Sequence, residues 1–141
     1  MIQNILVAID ESELSEQVLA TLNDIKLDRD TKIILCYVIP TQGIDVEVAA
    51  DRPHTEQEDI PYLQMQKLLQ TFQANLPCPS KVEIVRGDPA DEIIRLANIY
   101  QVDLIVIGSR GLTGINRILL GSVSSQVVAD AHCSVLVVKP K

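Results

Sequence analysis

The chain has 141 residues and a formal net charge of −7 at neutral pH, a length that accommodates one domain with a sheet covered by helices on both faces. That acidic balance argues against nucleic acid or an anionic membrane as the main partner. No segment is long and apolar enough to span a bilayer, and no basic-then-hydrophobic signal core opens the chain, so a cytoplasmic protein is expected.

Ile5 to Ile9 is a continuous apolar run, the pattern of a strand buried on both faces in a parallel sheet. Asp10 ends it, and Leu14, Val18, Leu22 and Ile25 then recur at helical spacing. Lys32 to Ile39 reads as a second buried strand, stopped by Pro40. From Thr41 to Asp59 periodicity is lost among acids and Pro53, so a long surface excursion is expected, a length at which loops are often mobile or functional. The next helix is expected to start near Pro61, a residue suited to the first helical position, and to continue through Met65, Leu69, Phe72 and Leu76 until Pro77 and Pro79 close it. Val82 to Val85 forms a third strand. Asp88-Pro89 then opens a helix with a side-chain cap and a preset φ, its core face being Ile93, Leu96, Ala97 and Tyr100. Val102 to Ile107 is the fourth strand and Val135 to Val138 the fifth. Five strands alternating with four helices predict an α/β fold, a single-domain doubly wound five-stranded parallel sheet over residues 1–141. Strand order is not legible from periodicity.

The exit of the fourth strand is the most informative stretch. Its apolar run breaks at Gly108, and Gly111, Gly114 and Gly121 punctuate the loop before a helix whose core spacing is Val127, Val128 and Ala131. That helix opens with Ser122, Val123, Ser124 and Ser125, which bring hydroxyls and no carboxylate, whereas acids accompany the starts near Asp10 and Asp88. A helix N-terminus carries free N–H groups and a partial positive charge, so one without an acid is available to an outside anion, phosphate above all. Leu104 to Ala129 contains Arg110 and Arg117 and no acid, so it carries +2 while the rest of the chain carries −9. On the helix start alone, a solvated loop whose Ser122 merely caps its helix accounts for the residues equally well.

The spacing Gly108, two residues, Gly111, nine residues, Gly121-Ser122 resembles the nucleotide-binding signature of the universal stress protein family, in its ATP-binding branch. The resemblance extends over nearly the whole chain: the opening strand with Asp10-Glu11-Ser12 after it, the strand from Ile33 to Val38, the Gly87-Asp88-Pro89 turn, this loop, and Val135 to Val138. It implies the strand order 3-2-1-4-5, which makes strands 1 and 4 neighbours and opens a crevice between Asp10 and the Gly108 loop. By the same resemblance Gly108, Gly111, Gly121, Ser122, Val123 and Ser124 wrap the ribose and phosphates, Asp10 accepts from the ribose or stands near a metal, and the backbone of Val38 meets the adenine edge. Asp10 as a plain helix cap is the alternative. Glu11 departs from the small residue common in the family, and Ser134 from its proline.

The resemblance further implies a regulatory, ATP-binding stress-response protein whose nucleotide occupancy modulates a dimer or an unknown protein partner, with the homodimer formed through the C-terminal strand. AMP or a cyclic nucleotide are alternative ligands, and Mg²⁺ is expected as the counterion that triphosphate needs beside Asp10 and Glu11. Two other functions compete: a slow ATPase or phosphotransferase, and a nucleotide-independent interaction module using the 41–59 excursion. The loop offers no His, Glu or Cys as a base, so no catalytic residue is assigned and hydrolysis is expected to be slow at most. A Walker lysine is absent, and the first strand is followed by Asp10-Glu11-Ser12 instead of a dinucleotide fingerprint. Cys36, Cys78 and Cys133 have no disulfide or zinc spacing, Cys36 reads as core, and no metal ligands are assigned. On an extended chain His132 and Cys133 would point to opposite faces.

Overall fold

The computed structural model describes residues 2–9, 14–28, 30–40, 56–108 and 122–139. Five strands form its sheet: β1 (Asn4–Ile9), β2 (Lys32–Pro40), β3 (Ser80–Gly87), β4 (Leu104–Gly108) and β5 (Ser134–Val138). Four helices connect them: α1 (Leu14–Asp24), α2 (Glu56–Ala74), α3 (Pro89–Ile99) and α4 (Ser122–Asp130). All pairings are parallel and the order is β3-β2-β1-β4-β5, the topology expected from the resemblance.

Alternation along the strands divides the core in two, because successive side chains of a strand point to opposite faces. Ile5, Val7, Ile9, Ile33, Leu35, Tyr37, Leu104 and Val106 pack with Val18 and Leu22 of α1 and Met65 and Leu69 of α2. Leu6, Ile34, Cys36, Val38, Ile105 and Ile107 pack on the other side with Ala90, Ile93, Leu96 and Ala97 of α3 and Val127 of α4. Helices on both faces explain why the central strands read as unbroken apolar runs. Each fully buried Leu or Ile contributes on the order of 2 kcal/mol by leaving water.

α3 is the clearest case of local sequence dictating structure. Asp88 sits in extended conformation and its Oδ2 accepts from the N–H of Asp91 at 3.0 Å, while Pro89 occupies the first turn, where its missing N–H costs nothing. Gly87 precedes this cap with φ +150°, and a Cβ there would stand 2.8 Å from Glu92 Cγ. Only glycine meets both demands.

Some boundaries differ from the pattern in the sequence. α2 begins at Glu56, five residues before Pro61, so the excursion expected over 41–59 loses its last four residues to the helix. Glu56, Glu58 and Asp59 are residue types that suit the positive end of a helix, and that preference outweighs the single donor a proline removes. Residues 41–55 lie outside the described residues. β4 starts at Leu104, not Val102, and Val128 of α4 is 46% exposed instead of facing the core. Among the described residues no helix is long and apolar enough to cross a membrane.

Candidate functional site

From β1 the chain moves to β2 and β3 on one side, and it returns to β4 and β5 on the other. Connections that leave neighbouring strands in opposite directions part over the carboxyl ends of those strands, so a crevice opens there. Leu6 is level with Ile105 and Ala8 with Ile107, so Ile9 and Gly108 leave the sheet side by side. β2 outlasts β1: the β1–β2 register ends at Ile9 opposite Tyr37, whereas Val38, Ile39 and Pro40 stay paired with Val85, Arg86 and Gly87 on the far side. Val38 thus stands one residue beyond the described end of β1, on the crevice side.

Gly108 closes β4 opposite Val138, and Ser122 opens α4. A helix joining two parallel strands must run back against them, so the start of α4 lies at the same end of the sheet as Val38 and Gly108. These three elements are therefore brought to one end of the molecule. Val123 is half-buried against the α3–α4 side of the core, and Ser124 is 2% exposed. Asp10, Gly111 and Gly121, with Arg110 and Arg117, lie outside the described residues.

The electrostatic contrast between helix starts holds in three dimensions. α1 carries Glu16 in its first turn, and α3 carries Asp91 and Glu92 behind its Asp88 cap, whereas the first turn of α4 has no acid. Carboxylates at a helix start neutralise its partial positive charge, which leaves α4 as the acid-free end among these three. Anion binding is the chemistry such an end supports.

Other reactive groups lie elsewhere. Cys36 is fully buried, and burial, with Glu83 adding a negative charge nearby, pushes its thiol up to about 12, so it is an inert core residue. His132 and Cys133 lie in the bend before β5 and not on an extended chain, and both border a cavity of about 240 Å³ with Ala97, Asn98, Gln101 and Val102. This cavity is at the amino ends of β4 and β5, the end opposite the crevice. Burial raises the Cys133 thiol as well. Among the described residues no three His, Cys, Asp or Glu side chains are grouped to hold a metal.

A match to the universal stress protein family extends over residues 1–139. The chain is 30% identical to universal stress protein Sll1388 of Synechocystis sp., with 96% of each covered. It is 54% identical to universal stress protein MJ0531 of Methanocaldococcus jannaschii over 57 residues, which are 40% of this chain and 34% of that protein. The solved structure of MJ0577, from the same archaeon, superposes with a TM-score of 0.86 at 32% identity, covering 100% of this chain and 98% of that one. Likeness of fold extends to two nucleotide complexes. One is a universal stress protein in complex with cAMP, with a TM-score of 0.67 at 23% identity and 98% and 97% of the chains covered. The other is an Arabidopsis thaliana protein of the same family with AMP bound, with a TM-score of 0.69 at 21% identity and 99% and 92% covered. On the family match over residues 1–139, with the strand order and the full-length relatives that agree with it, the chain belongs to the universal stress protein family.

Proposed function

We propose that this protein binds ATP in the crevice between the carboxyl ends of β1 and β4, and that occupancy of this site modulates a homodimer or a protein partner in a cytoplasmic stress response. One observation carries the reading: the ends of β1 and β4 leave the sheet side by side, at the end of the molecule where the acid-free helix α4 begins. Relatives of the same fold crystallised with AMP and with cAMP support an adenine nucleotide as the ligand class.

In this reading the backbone of Val38 meets the adenine edge. Gly108, Gly111, Gly121, Ser122, Val123 and Ser124 surround the ribose and phosphates, Asp10 accepts from the ribose, and Mg²⁺ offsets the repulsion between triphosphate and nearby acids. Glycine at 111 and 121 lets backbone N–H groups approach phosphate oxygens without a Cβ in the way. The homodimer forms through β5, and residues 1–141 act as one nucleotide-binding domain.

Calorimetric titration of the full chain with ATP and Mg²⁺ tests the proposal. Binding at millimolar or tighter affinity is expected, and Gly121→Val, whose side chain obstructs approach to phosphate, weakens it. A folded Gly121→Val protein that binds ATP as well as wild type sinks the loop assignment, and a wild type that takes up no adenine nucleotide sinks the function.

A further inference from the structure

Away from the crevice, the cavity at the amino ends of β4 and β5 brings a thiol and an imidazole together. His132 and Cys133 stand in the bend before β5, and both border this space of about 240 Å³. Cys133 is half-buried and packs against the α3–α4 side of the core, which holds it in place, whereas His132, Asn98 and Gln101 are exposed, so the cavity is reached from solvent. Its other wall is the end of α3. There Gln101 takes a left-handed φ of +50°, its N–H donates to the Asn98 carbonyl at 3.3 Å, and that of Val102 donates to the Ala97 carbonyl at 3.0 Å, the pattern of a Schellman close. The carboxyl end of a helix carries a partial negative charge, and α3 has no basic residue in its last turn to offset it. Asp103 adds a full negative charge near the thiol, and no lysine or arginine borders the cavity among the described residues. A cation is therefore the charge class that this space favours.

We propose that His132 and Cys133 form a binding site for a soft monovalent cation, Cu(I), held between the Cys133 sulfur and an imidazole nitrogen of His132. The donor set selects the metal. Sulfur with imidazole nitrogen suits Cu(I) and Zn(II), whereas magnesium and calcium take oxygen ligands. A structural zinc takes four donors, and among the described residues no three His, Cys, Asp or Glu side chains are grouped to supply them. Cu(I) is satisfied by one sulfur and one nitrogen placed on either side of it. Binding forms the Cu–S bond and breaks the S–H bond, with the proton passing to solvent. The copper stays monovalent, so the step needs no oxidant or reductant. The site lies at the end of the sheet opposite the crevice and is independent of the nucleotide reading.

The test is anaerobic titration of the full, reduced chain with Cu(I) in competition with bicinchoninate, a chromophoric chelator, for wild type, Cys133→Ser, His132→Ala and Cys78→Ser. Wild type is expected to withdraw one equivalent of Cu(I) per chain from the chelator, and Cys133→Ser to withdraw none. His132→Ala is expected to hold the metal at least about ten-fold more weakly, the loss that even a partner outside the ligand shell produces. Cys78→Ser, changed at the other thiol within reach of solvent, is expected to match wild type. Melting curves without metal establish that each variant folds; should Cys133→Ser fail to fold, His132→Ala, changed at an exposed residue, decides the matter. No uptake by wild type, uptake that survives in Cys133→Ser, loss in Cys78→Ser, or unchanged affinity in His132→Ala overturns the inference. Half an equivalent per chain also overturns it, since the metal then bridges two chains instead of sitting in one cavity.

Discussion

Asp103 shows how much one exposed carboxylate can organise at the start of a strand. Its Oδ2 accepts from the N–H of Gln3 at 2.9 Å and of Asn4 at 3.0 Å, its own N–H donates to the Asn4 carbonyl at 2.8 Å, and the Asn4 side chain donates to the carbonyl of Gln101. These bonds clasp the amino ends of β1 and β4, the two strands that frame the crevice at their other ends. The N–H of Asn4, then that of Gln3, hold the Asp103 carboxyl below the usual carboxylate range. A lowered carboxyl stabilises the fold above its unfolded value, near 3.9, and that contribution is lost as pH falls through the lower folded value. Asp103→Asn is therefore expected to melt below wild type at pH 6–7, with the gap closing as pH drops below about 4. Melting curves measured across that range check it, and a gap that persists or widens in acid contradicts it. At the same scale Gln17 gave no signal in the sequence. It stands next to the apolar stripe of Val18 and Leu22 as any surface glutamine would, and only the packed fold shields its Oε1 from solvent with no hydrogen-bond partner among the described residues.

The two sheet edges differ as elements. β3 bears Lys81, Glu83 and Arg86, and Tyr100 at the end of α3 donates its hydroxyl to Glu83 while Lys81 lies 5.1 Å over its ring. Charged side chains of this kind blunt an open edge against further pairing. β5 has Val135, Leu136, Val137 and Val138 after Ser134, with no charge, and the first three are only half-buried. This asymmetry supports β5 as the edge used for self-association, in line with the proposed homodimer. Sedimentation velocity at concentrations on the order of tens of micromolar is expected to show a dimer, as a standard-sized interface should hold there. Val137→Lys, which sets like charges close together across a two-fold pairing, shifts it towards monomer. Wild type sedimenting only as monomer contradicts the pairing. The start of α2 belongs to this scale as well: Pro61 looks like a first helical residue in isolation, yet the helix absorbs it in its second turn because the acids before it favour an earlier start.

For the whole molecule the question is whether binding is coupled to chemistry. The groups assigned to the phosphates are backbone N–H donors and hydroxyls. They hold a phosphate in its ground state, but hydrolysis also needs an in-line water and a group to take its proton. Asp10 is the one carboxylate assigned there. Turnover is accordingly expected to fall well under the ~1 s⁻¹ lower end of ordinary enzymes, with Asp10→Asn changing affinity more than rate. A steady-state ATPase assay decides between the regulatory reading and the enzymatic one. Turnover at ordinary enzyme rates, abolished in Asp10→Asn at unchanged ATP affinity, makes the protein an ATPase.

Periodicity was enough to find every strand and helix among the described residues, because burial on both faces writes continuous apolar runs into β1, β2 and β4, and one-sided burial writes helical spacing into α1 and α3. The cap at Asp88-Pro89 and the acid-free start at Ser122 were legible for the same reason: each depends on residues within four positions of one another. What is not local was not legible. The order β3-β2-β1-β4-β5 reached the sequence reading only through a family resemblance, since no strand carries a mark of its neighbour. The crevice follows from that order, because residues about a hundred positions apart, Ile9 and Gly108, become adjacent only when β1 and β4 pair. Ends of helices and strands shifted by a few residues, as at Glu56 and Leu104. That the side-chain oxygen of Gln17 is shielded with no partner among the described residues belongs wholly to tertiary structure, for a side chain acquires or lacks a partner only through the packing of elements that the sequence lists one after another and the fold brings together.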